Sequence, residues 1–342
     1  MTIPNNPRNA QSILVTGGTG FLGAYILREL IDKGYDVRAI RRTHKLPQFI
    51  SQDLLNKVEW VDGDLLDIAG LEENLSGIDT VIHSAAMVSV IIKERKAMFK
   101  TNIEGTTNLV NAALAQNVKR LIHVSSVAAL GRLDTGGSLS EGKQWEKMNL
   151  NTNYAISKYL GEMEVWRAIG EGLNAAIVNP STIIGYGDWN QSSCAIFKYA
   201  FRESPWYTNG TTGFVSVQDV ARAVVLIMQS EVSGERFILN SENWSFRQLL
   251  NMIADGFSKK HPSREAGPIL SQIAWRWEKI KSAFTGRTPL LTKESARMAQ
   301  GKTYFDNSKM LSYFPDFKFS PIKDSVIEAC SAYLQSGLPI KG

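Results

Sequence analysis

The chain has 342 residues, about two domains at roughly 150 residues each, which is enough to bury a large core. Its 38 Lys and Arg against 33 Asp and Glu leave a net charge of +5, but the cations are scattered among acids, so the concentrated basic face of a nucleic-acid binder is missing. Two cysteines, Cys194 and Cys330, are too few for a disulfide framework or a structural zinc site, and His44, His83, His123 and His261 lack the spacing of metal ligands.

The opening MTIPNNPRNAQ (1–11) is polar and reads as a flexible lead-in without the apolar region of a signal peptide. No run approaches the ~18 to 20 apolar residues of a membrane span, and with the sparing use of cysteine a cytoplasmic protein is expected. From residue 12 short apolar runs alternate with segments of helical period. SILVT (12–16), DVRAI (36–40), VEWV (58–61), TVIHS (80–84), RLIHVS (120–125) and NAAIV (174–178) are predicted strands. FLGAYILRELIDKG and EGTTNLVNAALAQN, with apolar positions three and four apart, are predicted helices between them. That alternation predicts an α/β fold with a doubly wound parallel sheet of Rossmann type. A helix near 218–230 and a strand GERFILN (234–240) extend it, so 12–180 plus 215–244 is expected to form a nucleotide-binding domain. The aromatic-rich, loop-rich 181–214 and 245–342 are expected to form a smaller substrate-binding domain.

The first predicted strand runs into TGGTGFLG, with Gly17, Gly20 and Gly23 three apart and a helix following at once. Small residues let the backbone turn tightly and approach a pyrophosphate, and the helix start offers unpaired N–H groups. About 20 residues further on, an NAD site presents an acid for the adenosine ribose and an NADP site presents arginine. Here the chain reads VRAIRR, with Arg38, Arg41 and Arg42. Guanidinium pairs with a 2′-phosphate in a forked, charge-assisted geometry, so NADP is expected rather than NAD; the competing reading is three solvated surface arginines.

NYAISK (153–158) opens a predicted helix, and Tyr154 and Lys158, four apart, share one face. A nearby ammonium is expected to lower the tyrosine pKa toward the working range of a general acid or base. Alone such a pair is an ordinary helix face. LIHVSSVAALG (121–131), however, ends a strand with Ser125 and Ser126 at the carboxyl edge, where open α/β sheets bind ligands.

With TGGTGFLG, GDLLD, HSAA, TNIEGTTN, VSSVAALG, YAISK, NPSTIIG and VQDVA in this order, nearly the whole chain resembles the extended short-chain dehydrogenase/reductase family. The resemblance implies that Gly17, Thr19, Gly20, Phe21, Leu22 and Gly23 cradle the cofactor phosphates, that Asp64 and Leu65 meet adenine, and that Ala85 and Ala86 line the cofactor. It places Pro180 and Thr182 near the nicotinamide. Ser126 would hydrogen-bond the substrate oxygen, Tyr154 would transfer the proton, and Lys158 would hold the nicotinamide ribose and tune Tyr154. Ser125 is the alternative to Ser126, which is preferred because it stands five before Gly131, as in the family's serine-containing strand. Asn102 either supports the site from a neighbouring helix or serves as a structural cap. Within the family, VRAIRR and DNSK (306–309) resemble the dihydroflavonol reductase and 3β-hydroxysteroid dehydrogenase branch, which carries an arginine at the place of Arg38 and tends to use NADP. The plant reductases' substrate-contacting segment is not recognisable, so a flavonoid substrate does not carry over.

The resemblance leaves three functions to weigh: an oxidoreductase on a carbonyl and secondary alcohol pair, a nucleotide-sugar epimerase or dehydratase, and an NADP-binding regulator without turnover, against which Ser126, Tyr154 and Lys158 argue. Met87, Val88, Trp145, Tyr186, Trp189 and Phe197 fall where pocket walls are expected and tilt the substrate toward an apolar small molecule, although core packing is the commoner role of such residues. Lys198 or Arg202 would serve a nucleotide sugar's pyrophosphate. No metal and no nucleic-acid partner is expected. The chain is expected to be a monomer or a homodimer, the helices carrying Asn102 and Tyr154 forming the family's dimer bundle. In ILSQIAWRWEKIKSAF (269–284), Leu270, Ile273, Trp277, Ile280 and Phe284 share one helix face, which reads as packing on the second domain, as a lid, or as a weak membrane-surface contact.

Overall fold

The computed structural model describes residues 12–89, 91–132, 137–146, 148, 151–268, 270, 273, 275–276, 296 and 299–337. In chain order its strands are β1 (Ile13–Thr16), β2 (Val37–Arg41), β3 (Glu59–Asp62), β4 (Thr80–His83), β5 (Arg120–Val124), β6 (Ser138–Leu139), β7 (Ala175–Pro180), β8 (Thr182–Ile184), β9 (Trp206–Tyr207), β10 (Thr211–Ser216), β11 (Glu235–Leu239), β12 (Glu242–Ser245), β13 (Arg264–Glu265) and β14 (Tyr304–Phe305). The α-helices are α1 (Phe21–Asp32), α2 (Gln52–Leu55), α3 (Ile68–Leu75), α4 (Arg95–Phe99), α5 (Gly105–Ala115), α6 (Asn153–Gly170), α7 (Ala195–Phe201), α8 (Val217–Gln229), α9 (Phe246–Gly256), α10 (Ser308–Tyr313) and α11 (Ile322–Gln335).

Seven strands form one sheet in the order β11-β7-β5-β4-β1-β2-β3, every neighbouring pair parallel. The strands predicted from apolar runs are these seven. β1, β4, β5 and β7 are buried along their whole length, as continuous apolar strands covered on both faces must be. On one face Ile13, Val15, Val37 and Ala39 pack with α1 and α8; on the other Leu14, Ile40 and Val81 pack with α3, α5 and α6. β1 lies between β2 and β4, so the chain leaves β1 toward one side of the sheet and returns on the other, opening a crevice at the carboxyl edge.

A three-stranded sheet, β12-β10-β8, is antiparallel between β10 and β12 and parallel between β10 and β8. It adjoins a third core in which Phe197, Phe214, Leu249, Ile253 and Tyr333 pack together. The expected domain boundaries shift accordingly: residues 215–216 close β10 and 242–244 open β12, both in the smaller sheet. Pairing of β13 with β9 and of β14 with β6 adds two short ribbons.

Both thiols are buried. Of the amphipathic segment 269–284, Leu270 and Ile273 are exposed, while Trp277, Ile280 and Phe284 lie outside the described residues. Among the described residues no helix is long and apolar enough to cross a membrane, and no cluster of His, Cys, Asp and Glu could hold a metal ion.

Candidate active site

A cavity of about 1260 Å³ runs along the carboxyl edge of the large sheet, with its outer wall formed by Tyr186–Cys194 and by residues of β10, α9 and β14. At its base β1 turns into α1 through Gly17, whose φ of 74° lies in the left-handed region that favours glycine. A Cβ on Gly17 would come within 2.7 Å of the Ala85 backbone nitrogen, and one on Gly23 within 2.1 Å of the Gly17 carbonyl oxygen. Gly20 stands at the start of α1 and no side chain caps the helix, which leaves its first amides to an external acceptor. A backbone that close, with an uncapped helix start facing the cavity, fits a diphosphate.

The arginines of VRAIRR divide. Arg42 lines the cavity with Thr43 and Lys45. Arg38 does not: along β2 the side chains alternate, and Arg38 falls on the α3 face, where it pairs with Glu59 at 3.0 Å and donates to the Asn74 carbonyl at 3.0 Å. Arg41 is bonded to Asp62, its register partner on β3, at 3.0 Å. Of the three arginines expected at one anion, only Arg42 lines the cavity, because β3 supplies an acid for each of the others.

At the catalytic end, Ser126, Tyr154 and Lys158 all line the cavity. Thr152 caps α6 by accepting from the Ala155 amide at 3.1 Å, which sets Tyr154 in the first turn and Lys158 one turn later. The Ser126 side chain accepts from the Ala128 amide at 3.2 Å. Burial pushes the Tyr154 hydroxyl above its ordinary pKa, and its hydrogen bond with Ser126 pulls the other way. The expectation that Lys158 lowers the tyrosine pKa is not met, since burial dominates and the Lys158 ammonium donates to the Val124 carbonyl at 2.9 Å. Burial also brings Lys158 down to about 8, against the Glu162 carboxylate, which raises it.

Glu162 went unnoticed in the sequence, although it stands four after Lys158. It is 1 % exposed and fully engaged: Asn179 donates to it at 2.8 Å, Arg236 at 3.0 Å and Trp166 at 3.2 Å. Two more groups face the cavity, Ser125, named above only as the alternative to Ser126, and Ser181, which sequence reasoning left out. The Ser125 and Ser181 hydroxyls are buried at its wall with no partner among the described residues, at the ends of β5 and β7. The repeated serine of VSSVAALG and the NPSTIIG segment carried that signal.

Of the other expected site residues, Thr19, Phe21, Leu22, Ala86, Met87, Val88, Pro180, Thr182, Tyr186 and Trp189 line the cavity. Several expected residues do not. Asp64 accepts from the Leu66 amide at 3.0 Å and shapes the turn toward α3, while Leu65 is buried in the core. Ala85 lies beneath Gly17, and its amide donates to Thr16 Oγ1. Trp145 stacks on Tyr159 at 4.3 Å outside the cavity, and Phe197 is in the third core. Asn102 is also outside: its Oδ1 accepts from the Met87 amide at 2.7 Å, and its Nδ2 donates to the Met87 carbonyl at 2.9 Å and to Ser157 Oγ at 3.0 Å. Of the two alternatives, these contacts fit support from a neighbouring helix rather than a cap, with Asn102 clamping the cavity wall to α6. Lys198 lines the cavity and Arg202 does not.

Residues 13–240 match the model of the NAD dependent epimerase/dehydratase family. A Synechocystis sp. protein with a provisional dihydroflavonol 4-reductase name is 32% identical over 336 residues, covering 96% of each chain. Sterol demethylase protein B of Methylococcus capsulatus is 30% identical over 300 residues, covering 86% of this chain and 90% of its own. The crystal structure of gox2253 superposes with a TM-score of 0.80 at 30% identity, covering 96% of this chain and 99% of that one.

Proposed function

Because the chain belongs to the NAD dependent epimerase/dehydratase family, the extended short-chain dehydrogenases/reductases, we propose that it is an NADP-dependent oxidoreductase interconverting a carbonyl and a secondary alcohol on an uncharged, fairly apolar small molecule. The observation that carries this reading is that Ser126, Tyr154 and Lys158 line one cavity, with Tyr154 hydrogen-bonded to Ser126. A nicotinamide cofactor held at its diphosphate by the Gly17–Gly23 loop would supply or accept the hydride. Tyr154 delivers its proton to the carbonyl oxygen in reduction and takes it back in oxidation. Ser126 donates a hydrogen bond to the same oxygen, and the Lys158 ammonium stabilises negative charge that develops there. A raised tyrosine pKa keeps the proton in place at neutral pH, as an acid requires.

Arg42, with Thr43 and Lys45 beside it, supports a 2′-phosphate at the far end. Ser125 and Ser181 offer hydroxyls for the nicotinamide end. Met87, Val88, Val127, Phe246 and Phe305 give the substrate end an apolar wall, relieved by Thr211, Thr212 and Thr303. The sterol in one relative's name points the same way. Lys198 in the cavity wall favours a second reading, transient oxidation of a nucleotide sugar whose diphosphate it would meet.

A screen of ketones, aldehydes and nucleotide sugars against the purified protein tests both readings. Stoichiometric loss of NADPH absorbance with alcohol formed from an apolar ketone is the expected result. Isomerisation of a nucleotide sugar with no net change in NADPH would replace the reductase by the epimerase.

A further inference from the structure

β4 ends in His83, a buried histidine that proton transfer at Tyr154 leaves idle. It is 1 % exposed and lies beneath the cavity rather than on its wall. Its ring is part of a chain of hydrogen bonds that runs from the Asn102 carbonyl to the Ala85 amide. The Thr106 hydroxyl donates to the Asn102 carbonyl at 2.8 Å, so its one proton is engaged and its oxygen must accept from His83 Nε2 at 3.0 Å. At the other end the Ala85 amide donates to Thr16 Oγ1 at 3.2 Å, and Thr16 Oγ1 lies 2.8 Å from His83 Nδ1. A neutral ring with its proton on Nε2 has a bare Nδ1, which accepts the Thr16 proton, and every group in the chain is satisfied. The alternative tautomer would set Nε2 against an oxygen with no proton left to give. Burial first, and the Lys158 charge second, bring the His83 pKa down to about 3, so the ring is neutral at working pH. The His123 ring lies 5.0 Å away and is likewise held neutral.

What this chain connects gives it a role. Ala85 is the residue on which Gly17 rests, at 2.7 Å from where a Cβ would stand. Asn102 holds both backbone groups of Met87 in the cavity wall and reaches Ser157, whose hydroxyl donates to the Tyr154 carbonyl at 2.8 Å. We propose that His83, as the neutral Nε2–H tautomer, is a positioning residue that fixes the diphosphate loop at one ring nitrogen and the Asn102 clamp on the catalytic wall at the other. The proposal rests on the reading of the cavity as a dinucleotide site.

Nitrogen NMR of the ligand-free protein at neutral pH tests the tautomer without any cofactor: protonated Nε2 and bare Nδ1 are expected, and a protonated Nδ1 overturns the proposal. Two half-substitutions separate the arms. His83→Gln keeps a donor toward Thr106 but loses the acceptor for Thr16; His83→Asn keeps that acceptor and loses the donor. The expected pattern is faster hydrogen exchange at the Ala85 amide in His83→Gln and at the Met87 amide in His83→Asn. NADPH, followed by its fluorescence, should bind roughly threefold to tenfold more weakly to His83→Gln, the weight of one neutral hydrogen bond, and nearly unchanged to His83→Asn. Thr16→Val, similar in shape, opens the Ala85 arm without touching the ring and should reproduce His83→Gln. Equal loosening of both amides in both variants would mean general destabilisation and overturn the proposal. If the wild type did not bind NADPH while the exchange pattern held, the dinucleotide reading would fall and the positioning role would stand.

Discussion

At the proposed diphosphate end of the cavity the polar groups on offer are backbone amides, placed by glycines at 17, 20 and 23 and by an uncapped helix, with no ionisable side chain in the turn itself. At the proposed catalytic end the groups are side chains: burial and the Glu162 carboxylate one turn on act on Lys158, and Glu162 is held in turn by hydrogen bonds from Arg236 on β11 and Asn179 on β7, both far away in sequence. The first end is defined by what cannot be added to the backbone. The second is defined by what cannot be removed from a buried network, because a charge left without its partner there has no water to replace it.

The largest expected effect separates chemistry from binding. Tyr154→Phe keeps the ring in the wall and removes the hydroxyl; turnover should fall by at least ~10²- to 10⁴-fold, while NADPH titration should show affinity unchanged. Retained turnover would give the proton to another group. Next, Glu162→Gln leaves the Arg236 guanidinium facing a neutral group in the interior and should cost about 3–5 kcal/mol in urea unfolding, the penalty of breaking a buried ion pair. Since Glu162 raises the Lys158 pKa, its loss should also move Lys158 below about 8 and shift the alkaline fall of activity to lower pH. A drop in stability with an unmoved pH profile would confine Glu162 to packing.

The arginines sharpen the comparison at the opposite end. Arg42→Ala should weaken NADP by about 10- to 150-fold, from loss of a charge-assisted pair of ~1.5–3 kcal/mol, and leave NAD alone. Arg38→Ala, which breaks only the contacts with Glu59 and Asn74, should leave the NADP to NAD ratio within about twofold and shift stability by less than about 1 kcal/mol. Equal effects from the two substitutions in binding assays would restore Arg38 to the site. A last effect is spread over pH as a slope. His83 has a folded pKa of about 3 against 6.5 for the free side chain, so between those values the unfolded chain takes up a proton that the folded ring refuses. Stability contributed by this group is complete above about 6.5 and should be lost at about 1.4 kcal/mol per pH unit as pH falls, a decline that urea midpoints at successive pH values would reveal.

The fold was legible because its signal is local. All seven strands of the large sheet are apolar runs flanked by helical periods, and the glycine turn carries its own spacing. The small sheet was not: β8 is three residues, its partner β10 arrives about 30 positions later, and β12, which completes the sheet on β10, about 60 later. For the site, Ser126, Tyr154 and Lys158 were readable from one strand end and one helix turn. The roles of Arg38, Arg41 and Asn102 were not, since each depends on a partner from another element: Glu59, Asp62, and the backbone of Met87. Side-chain alternation along β2 could have separated Arg38 from Arg41, but no local rule says which face an anion will approach.

β3 is the outermost strand of the large sheet, with β2 as its one neighbour there, and its sequence EWVD places an acid at each end. Glu59 and Asp62 are well exposed while holding Arg38 and Arg41. A strand in that position offers its open backbone edge to any extended chain that meets it, and charge at its ends discourages such templated growth. The acids that keep two arginines away from the cavity also guard the edge against aggregation, so neutralising them would tell first on how concentrated the protein can be kept and how much is recovered on refolding.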